Sequence, residues 1–297
     1  MTEIIRGSTE KSAPPFFIQK EEVMSRALQT LRDQLHISHS QLFTYLNCSL
    51  KYFFAYVQNV PGKHSSINLH FGKAIHAAIE LFYRSLQETG NKPSFAEVES
   101  VFMKKLYQSM ESVEAPILFK KNMPDIASSI FIGKKMLEVF HEQTSLDGCT
   151  IEAVELPLSA TLHNHNGEPL DIQLVGIIDL LLRDKCGNWL VVDHKTSSQA
   201  KSQSAVDEDL QITAYSYLLV ANRDVFPRAE IRARFDVLRK LKTPKLEQYH
   251  TTRGPDSRKR FAKLSAAVLA GIDNRVFLPC RGWLCADCEY IENCQNW

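Results

Sequence analysis

The sequence predicts an α/β protein in which a helical N-terminal half precedes a strand-rich half. Apolar residues recur at helical spacing from Ile37 to about Thr144, whereas after Gly148 short apolar runs alternate with turn residues, as in strands. A further helical pattern, 210–221, separates the first three strands from the last two. The 297 residues, 44% hydrophobic and 23% charged, suffice for a large core in one elaborated domain or two small ones.

The first half begins with a loose extension, 1–36, near whose end a short helix is expected. Ser38 and Ser40 are favourable N-caps for the next helix. The apolar positions of that helix follow at helical spacing and are Leu42, Leu46, Leu50, Phe53 and Val57. A polar loop leads to a second helix over 71–87, and helical pattern continues over 94–144, where proline interrupts it twice.

The second half contains strand signals that are bounded by turn residues. Strands are expected over 151–158, 172–182, 189–192, 228–238 and 245–252. A turn that contains Gly187 joins the second and third of these, and the last two are candidate partners. In the fourth strand the apolar residues alternate with polar ones, which predicts one buried face. A last helix, 256–272, precedes a cysteine-rich tail that is too short to form its own core.

Two aspartates and a lysine follow apolar strand runs. Asp179 ends one run, Asp193 ends the next, and Lys195 comes two positions later. Burying a charge is costly, so these groups are expected to have partners, and strand periodicity puts Asp193 and Lys195 on one face. If the hairpin brings Asp179 beside them, two carboxylates can hold Mg²⁺, and a lysine can orient the water that attacks a phosphodiester. An ordinary hairpin with a buried salt bridge is the alternative.

Five short motifs in a fixed order resemble those of RecB-like nucleases in the PD-(D/E)XK superfamily. In chain order they are the helix from Ile37 to Cys48, Phe71-Gly-Lys-Ala-Ile-His76, Gly176-x-x-Asp179, Asp193-x-Lys195-Thr196 and Gln211-x-x-x-Tyr215. The likeness extends over about 37–294, with 92–145 matched only in helical character. It implies a restriction-endonuclease-like core, a small mixed sheet flanked by helices, with a helical insertion on one side.

The resemblance also divides the chain. It implies an N-terminal extension, 1–36, and one nuclease domain, 37–297. Within that domain, 61–148 is the helical part, 149–260 the catalytic core and 280–297 the cysteine-rich tail.

By the same resemblance, four residues would bind the catalytic metal, Mg²⁺ or Mn²⁺. They are His76, Asp179, Asp193 and, through its backbone carbonyl, His194. Glu155, on the first predicted strand, is a candidate for an additional acidic contributor, with an ordinary surface carboxylate as the alternative.

The resemblance gives Lys195 the part of the catalytic lysine. Gln211 and Tyr215 are four residues apart and therefore lie on one helix face. Both are implied to position DNA or the metal site through hydrogen bonds.

Seven cysteines in a chain without a recognisable export signal are more typical of metal binding than of disulfides. Cys285, Cys288 and Cys294 have the spacing of a metal site, which normally needs a fourth thiolate. By the resemblance Cys48 is that ligand and joins the two ends of the domain, whereas Cys280 is the alternative and would make a local, zinc-knuckle-like site. Zinc and iron–sulfur clusters both accept four thiolates, and the resemblance favours a 4Fe-4S cluster.

Phosphate contacts are expected from a basic block. Residues 228–263 contain twelve Lys or Arg and four Asp or Glu, whereas the whole chain carries a net charge of +1. A solvated surface is the alternative reading of the block. Candidate phosphate contacts are Lys63, His64, Lys201, Arg232, Arg234, Arg253, Lys259 and Arg260. Tyr45, Phe54 and Tyr83 are candidates for stacking on unpaired bases, but core packing explains aromatic residues at these spacings better.

Together these features predict a Mg²⁺- or Mn²⁺-dependent deoxyribonuclease. We expect exonuclease action on single-stranded or frayed DNA ends, in repair, recombination or CRISPR- or phage-related processing. The sequence has no phosphate-loop motif, so a helicase would come from a partner chain, and an integrase is another candidate partner.

Membrane association is not expected, since no apolar run approaches the ~20 residues of a bilayer span, and we expect a cytoplasmic protein. Two alternatives belong to other functional classes. One is a non-catalytic iron–sulfur subunit that binds DNA ends or forms the scaffold of a nuclease–helicase complex. The other is a zinc-binding RNA-processing factor.

Overall fold

A computed structural model of the chain describes residues 35–222 and 229–297. The strands are β1 (His36–Ser38), β2 (Ser65–Ser66), β3 (Ile117–Leu118), β4 (Thr150–His163), β5 (Pro169–Arg183), β6 (Trp189–Ser197), β7 (Ile231–Arg239) and β8 (Lys245–Arg253). The helices are α1 (His39–Asn47), α2 (Ser49–Tyr52), α3 (Ile67–Thr89), α4 (Phe95–Glu111), α5 (Ile126–Gln143), α6 (Gln203–Asp207), α7 (Leu210–Asn222), α8 (Pro255–Asp273) and α9 (Ile291–Gln295). The short helix expected in the N-terminal extension falls on residues outside those ranges.

A mixed sheet of six strands, in which β5 pairs with β1, β4 and β6, lies at the centre of the described chain. The order continues from β6 to β7 and β8. The pairs β1–β5 and β6–β7 are parallel, and the other pairs are antiparallel. The chain passes from β6 to β7 through α6 and α7, because parallel neighbours need a crossover. The predicted α/β fold, a mixed sheet flanked by helices, is confirmed.

Helices cover both faces of the sheet and create two apolar cores. On one face, α3, α4 and α5 pack around buried aromatic residues such as Phe71 and Phe140. On the other face, α1, α7 and α8 pack around residues such as Leu218 and Phe261. The sheet is thus the middle of three layers, and its strand ends are where polar side chains meet solvent. Among the described helices, none is long and apolar enough to cross a bilayer.

Strand β7 is buried on both faces, so the expectation of a single buried face is wrong. Arg234 and Asp236, which occupy the polar positions of the strand, are 0% and 1% exposed and pair with each other at 2.8 Å. Arg234 also donates a hydrogen bond to Asp147 at 2.7 Å. The ion pair lets the strand lie in the centre of the sheet, because each charge has a partner.

The N-terminal helix, predicted as continuous from Ile37, is interrupted at Cys48. Ser38 caps α1 and forms a capping box with Gln41, as the sequence suggested. At Cys48 the backbone turns extended, with φ −161° and ψ 103°, and α2 begins anew at Ser49. A π-helical turn, Phe53–Val57, follows α2. The break places the Cys48 thiol beside the C-terminal tail.

Candidate functional site

The two aspartates lie where β5 and β6 stop pairing. The last paired residues on that side are Leu180 and Val192, so Asp179 and Asp193 are next to each other across the opening. The backbone N–H of His194 donates to Asp179 Oδ2 at 2.8 Å instead of continuing the ladder. The predicted approach of Asp179 to Asp193 is therefore present in the fold.

His76, Glu155 and Asp179 form a cluster of possible metal ligands. One ligand atom from each lies within 4.8 Å of the other two, and His76 Nδ1 is 3.5 Å from Asp179 Oδ2. Strand β4 supplies Glu155. Its two neighbours in the strand, Val154 and Leu156, pair with Leu180 and Ile178 of β5, so Glu155 lies opposite Asp179. Helix α3 supplies His76 from the layer above.

The backbone at Glu155 is strained, with φ +50° in the middle of a strand. For a residue with a Cβ this left-handed conformation costs about 1–2 kcal/mol. Such strain persists where the surroundings hold it, often at functional sites. The strained backbone therefore coincides with the cluster of possible metal ligands.

The carboxyl groups of the site have very different proton affinities. Burial raises the pKa of Glu155 to about 9, and the charge of Asp179 adds to that effect. Burial also raises the pKa of Asp193 to about 7, although Lys195 opposes it. Burial would raise the pKa of Asp179 as well, but His76 and the His194 N–H outweigh it and lower the value to about 2. Crowded carboxyls of this kind are well suited to a bound cation.

Asp193 has a free lone pair on the inside of the site. It is fully buried, and its Oδ2 has no hydrogen-bond donor within residues 35–222 and 229–297, although Lys195 Nζ lies 2.8 Å away. Asp193 is not in the 4.8 Å cluster with His76 and Glu155. The imidazole and carboxylate donors together form a nitrogen and oxygen set that fits a divalent metal ion.

Lys195 heads a chain of hydrogen bonds that ends in helix α7. Its Nζ donates to Asp193 Oδ1 at 3.1 Å and to Gln211 Oε1 at 2.8 Å. Gln211 Nε2 in turn donates to the Tyr215 hydroxyl at 2.7 Å. Burial lowers the pKa of Lys195, but Asp193 and Asp179 outweigh it and raise the pKa above its ordinary value, so the ammonium stays charged. The predicted shared helix face of Gln211 and Tyr215 is present, and it points at Lys195.

The His194 side chain lies on the opposite face of β6, buried under α3 and α5. Its ring contacts those of Tyr83, Phe140 and His76. His194 Nδ1 is 3.7 Å from Asp179 Oδ2, so the ring also supports that carboxylate. Tyr83 is buried here and Phe54 in a smaller core, which agrees with core packing and rules out base stacking for these two rings.

Several expected phosphate contacts are engaged inside the protein. Arg234 and Arg253 are buried, and Arg253 donates to Thr213 Oγ1 at 2.8 Å. Both were expected to bind DNA, which their burial contradicts. Others are paired at the surface: Lys63 with Glu292, Lys201 with Asp209, Arg232 with Asp184, and His64 with the Asp287 carbonyl. Lys259 and Arg260 are exposed on α8.

An exposed aromatic residue that the sequence analysis did not single out is Phe43. It is 54% exposed on α1 and packs against His39 with 5.8 Å between ring centroids. Burial lowers the pKa of His39 to about 4, and the charges of Asp209 and Lys195 act on it too, which puts His39 near Lys195. An aromatic residue outside the apolar face of its helix is a signal in the sequence that could have identified Phe43.

The cysteine-rich tail packs against the break after α1. Cys48, at the break, and Cys288 and Cys294, in the tail, all border a small apolar core that includes Tyr52 and Tyr290. Two backbone N–H groups point at sulfur, since Cys280 donates to Cys48 Sγ at 3.5 Å and Gly282 donates to Cys285 Sγ at 3.4 Å. Such donors stabilise thiolates. Cys280 itself is exposed, with its backbone between Cys48 and Cys285.

Comparison with known proteins identifies the family. The sequence profile of the PD-(D/E)XK nuclease superfamily matches residues 36–295. No curated protein matches the chain, whereas fifteen chains of solved structures do.

One of the solved structures is a candidate exonuclease from Eubacterium rectale, 10% identical, with a TM-score of 0.55 and coverage of 97% of this chain and 94% of that one. Another, SSO0001, is 12% identical, with a TM-score of 0.38 and coverage of 84% and 94%. The first likeness reflects a shared fold. Because the profile spans nearly the whole described chain, this protein belongs to the PD-(D/E)XK nuclease superfamily.

Proposed function

We propose that this protein is a Mg²⁺- or Mn²⁺-dependent exonuclease of the RecB-like branch that hydrolyses DNA from single-stranded or frayed ends. The observation that carries the proposal is the convergence of Asp179, Asp193 and Lys195 at the opening between β5 and β6. Their superfamily uses divalent metals to cut DNA, and the donor set here fits such an ion.

In this proposal His76, Glu155 and Asp179 hold the metal, with Asp193 and the carbonyl of His194 as further ligands. The bound ion would polarise a phosphoryl oxygen and lower the pKa of a water molecule.

Side chains and one backbone N–H of the protein orient the reacting groups and stabilise negative charge. Lys195 is charged and held between Asp193 and Gln211, so its ammonium can orient the attacking water and offset negative charge on the phosphate. Gln211 is fixed in turn by Tyr215, and the His194 N–H keeps Asp179 ionised and oriented. We infer that Gln211 and Tyr215 are positioning residues, since they reach the reacting atoms only through Lys195.

Preference for an unpaired strand is supported by Phe43. Its exposed ring packs against His39, which lies near Lys195, and offers a surface on which an unpaired base can stack.

We further propose that Cys48, Cys285, Cys288 and Cys294 bind a 4Fe-4S cluster with a structural role. Two N–H groups directed at sulfurs and the meeting of chain ends support this arrangement. Zinc remains the alternative metal, and Cys280 the alternative fourth ligand.

The test of the nuclease proposal is digestion of end-labelled single- and double-stranded DNA with Mn²⁺, using wild type and Lys195→Ala. We expect wild type to shorten single strands from an end and the variant to be at least about 100-fold slower with similar DNA affinity. Lys105→Ala, an exposed lysine on α4, is the matched control and should cut normally.

The rival reading is a non-catalytic DNA-end-binding subunit. It predicts that wild type binds DNA but does not cut it with any divalent metal. That outcome would contradict the nuclease proposal, irrespective of the result for Lys195→Ala.

A further inference from the structure

Lys240 lies at the strand ends that border the proposed metal site. It follows β7 directly, and its backbone N–H donates to the Ser197 carbonyl at 2.8 Å, so it sits beside the end of β6. By strand alternation it shares a face with Leu238 and Asp236, the face that α3 covers. Ligands of open α/β sheets bind outside the carboxyl ends of the strands.

The side chain of Lys240 is buried, and its ammonium is bonded to a residue at the surface. Only 9% of Lys240 is exposed, and its Nζ donates to Asn68 Oδ1 at 2.6 Å. Asn68 is itself exposed, so the hydrogen bond joins a covered ammonium to a side chain that solvent and a ligand can reach. The ammonium lies over the ring of Phe71, with Nζ 5.5 Å from the ring centroid.

No carboxylate among the described residues pairs with this ammonium. Neighbouring cations do have acidic partners: Arg239 pairs with Glu247, and Lys201 with Asp209. Burial lowers the pKa of Lys240 to about 8, which still leaves it largely protonated at neutral pH.

The nearby end of helix α3 adds positive potential. Asn68 is in the first turn, which contains no acidic residue, and a helix N-terminus repels cations. A charge that is this desolvated and has no counterion is costly unless an anion binds to it.

The separation of Lys240 from the metal site places it at a different phosphate from the one that is cut. His76 is two turns along α3 from Asn68, about 12 Å at 1.5 Å per residue. Lys195 pairs with Val237, three residues before Lys240, about 10 Å along the strand. An anion at Lys240 is therefore outside the metal site but on the same face of the sheet.

We propose that Lys240 and Asn68 bind a backbone phosphate of the same DNA strand as the phosphodiester that is cut, outside the metal site. The proposal rests on the proposed nuclease function and adds a substrate contact to it. An amide and an ammonium recognise phosphate oxygens without reading the base, so the contact positions the strand irrespective of sequence.

The test measures binding of a labelled single-stranded oligonucleotide, by fluorescence anisotropy, to Lys240→Met in the Lys195→Ala background. We expect about tenfold weaker binding and a salt dependence, as log Kd against log salt concentration, that is shallower by about 0.7, the value for one lost phosphate contact on a single strand. Lys105→Met in the same background is the control and should change neither quantity. Unchanged affinity and unchanged slope in Lys240→Met would overturn the proposal.

A purely structural role predicts a different pattern. If Lys240 only holds α3, then Lys240→Met lowers the melting temperature of the free protein and leaves the salt slope as it was. We expect the reverse, a melting temperature equal to or above that of the parent, because a desolvated charge has been removed. Lys240→Arg should restore most of the binding, and Asn68→Ala offers a second variant if Lys240→Met does not fold.

Failure of the nuclease proposal is separable from failure of this one. In the Lys195 wild-type background, Lys240→Met should slow cleavage of long DNA but not of bis(p-nitrophenyl) phosphate, which has no neighbouring phosphate. If wild type cleaves neither substrate, the nuclease proposal fails, while the binding slope still decides the phosphate contact.

Discussion

Glu155 combines two energetic costs at one residue. Its backbone has φ +50°, and burial raises the pKa of its carboxyl to about 9. Neither cost helps the chain to fold, since a glycine would remove the strain and an apolar residue would remove the buried carboxyl. A bound cation offsets the second cost by favouring the ionised form. We therefore regard Glu155 as a metal ligand that the protein retains at the expense of its stability.

A comparison of Glu155→Gly with Glu155→Ala tests this at the residue scale. Both variants should lose most of their Mn²⁺ affinity, measured by calorimetric titration. In EDTA the glycine variant should be the more stable by about 0.5–1 kcal/mol in urea unfolding, because only glycine adopts positive φ without strain and its greater unfolded-chain entropy offsets part of the gain. Equal stabilities would mean that the backbone is not strained, and retained Mn²⁺ affinity would exclude Glu155 as a ligand.

Phe43 is also a prediction at the scale of one side chain. Replacing Phe43 by Ala should weaken binding of single-stranded DNA by roughly 1–3 kcal/mol if one base stacks on the ring. Phe131 on α5, 61% exposed, is the matched control. An oligonucleotide with one abasic position at the contact should remove the difference between wild type and Phe43→Ala. If Phe131→Ala weakens binding equally, the stacking role is rejected.

At the scale of elements, two close approaches determine the site. Helix α7 lies close to β5 at Gly176: a Cβ there would be 2.8 Å from Leu218 Cδ1 and 3.4 Å from Tyr215 Cε1, so the buried Leu218 side chain would have to shift. Helix α3 places His76 over the sheet, and hydrogen bonds of His70 hold the first turns of the helix in position. The His70 nitrogens lie 2.8 Å from the hydroxyls of Ser65 and Ser109.

Gly176→Ala should therefore push α7 away from the sheet. We expect a loss of about 1–3 kcal/mol in unfolding free energy. Activity should also fall at saturating metal, because the helix that carries Gln211 no longer holds Lys195. Gly72→Ala is the control for stability, since a Cβ there meets nothing within 4 Å, and helix propensity predicts a gain of up to about 1 kcal/mol. A Gly176→Ala protein with wild-type stability and rate would contradict the close approach.

His70 predicts how stability depends on pH. Burial lowers its pKa, and the charge of Lys73 lowers it further, so the folded protein keeps the ring neutral where the unfolded chain protonates it. The unfolding free energy should then fall as the pH drops below about 6.5, the ordinary value for histidine. In His70→Gln, which cannot titrate, this fall should be less steep in urea unfolding with EDTA. Parallel curves for the two proteins would show that His70 does not contribute.

At the scale of the whole molecule, the two ends of the described chain meet. The tail contacts α2 through Lys51 and Glu289 at 2.8 Å, and the Leu50 N–H donates to the Leu278 carbonyl at 3.2 Å. A small apolar core and the cysteine thiols complete this contact. The tail is too short to bury a core of its own, so a metal cluster that includes Cys48 would hold it against the domain.

Substitution of single cysteines tests this connection. Cys48→Ala should lose iron and sulfide by chemical analysis, and its tail should become sensitive to limited proteolysis. Cys280→Ala should retain both the cluster and the protected tail. Cys186→Ala, an exposed cysteine in the β5–β6 turn, controls for substitution itself. Iron lost from Cys280→Ala but kept in Cys48→Ala would assign the fourth ligand to Cys280, and zinc in place of iron would exclude the cluster.

Local patterns in the sequence were enough for β4 to β8, most helices and one face of the site, whereas the short strands β1, β2 and β3 were not predicted. Asp193 and Lys195 share a face because side chains alternate along a strand. Gln211 and Tyr215 share a face because residues four apart are neighbours on a helix. Both periodicities are properties of the local chain. The two-sided burial of β7 was not predictable in this way, since charged residues usually indicate solvent. Only the packing of α3 to α5 over Arg234 and Asp236 makes that face internal.

The sequence by itself thus determined the family, the layered α/β architecture and the pairing of two carboxylates with a lysine. The tertiary structure decided which residues from distant segments join them: it brings the two candidates His76 and Glu155 to Asp179, and it adds Phe43 beside His39 and Lys240 at the strand ends. The physical reason is that local spacing acts over a few residues, whereas packing joins residues that are far apart in the sequence. Spacing along the chain fixes which side chains share a face, whereas contact between segments and the presence or absence of a counterion depend on how layers pack.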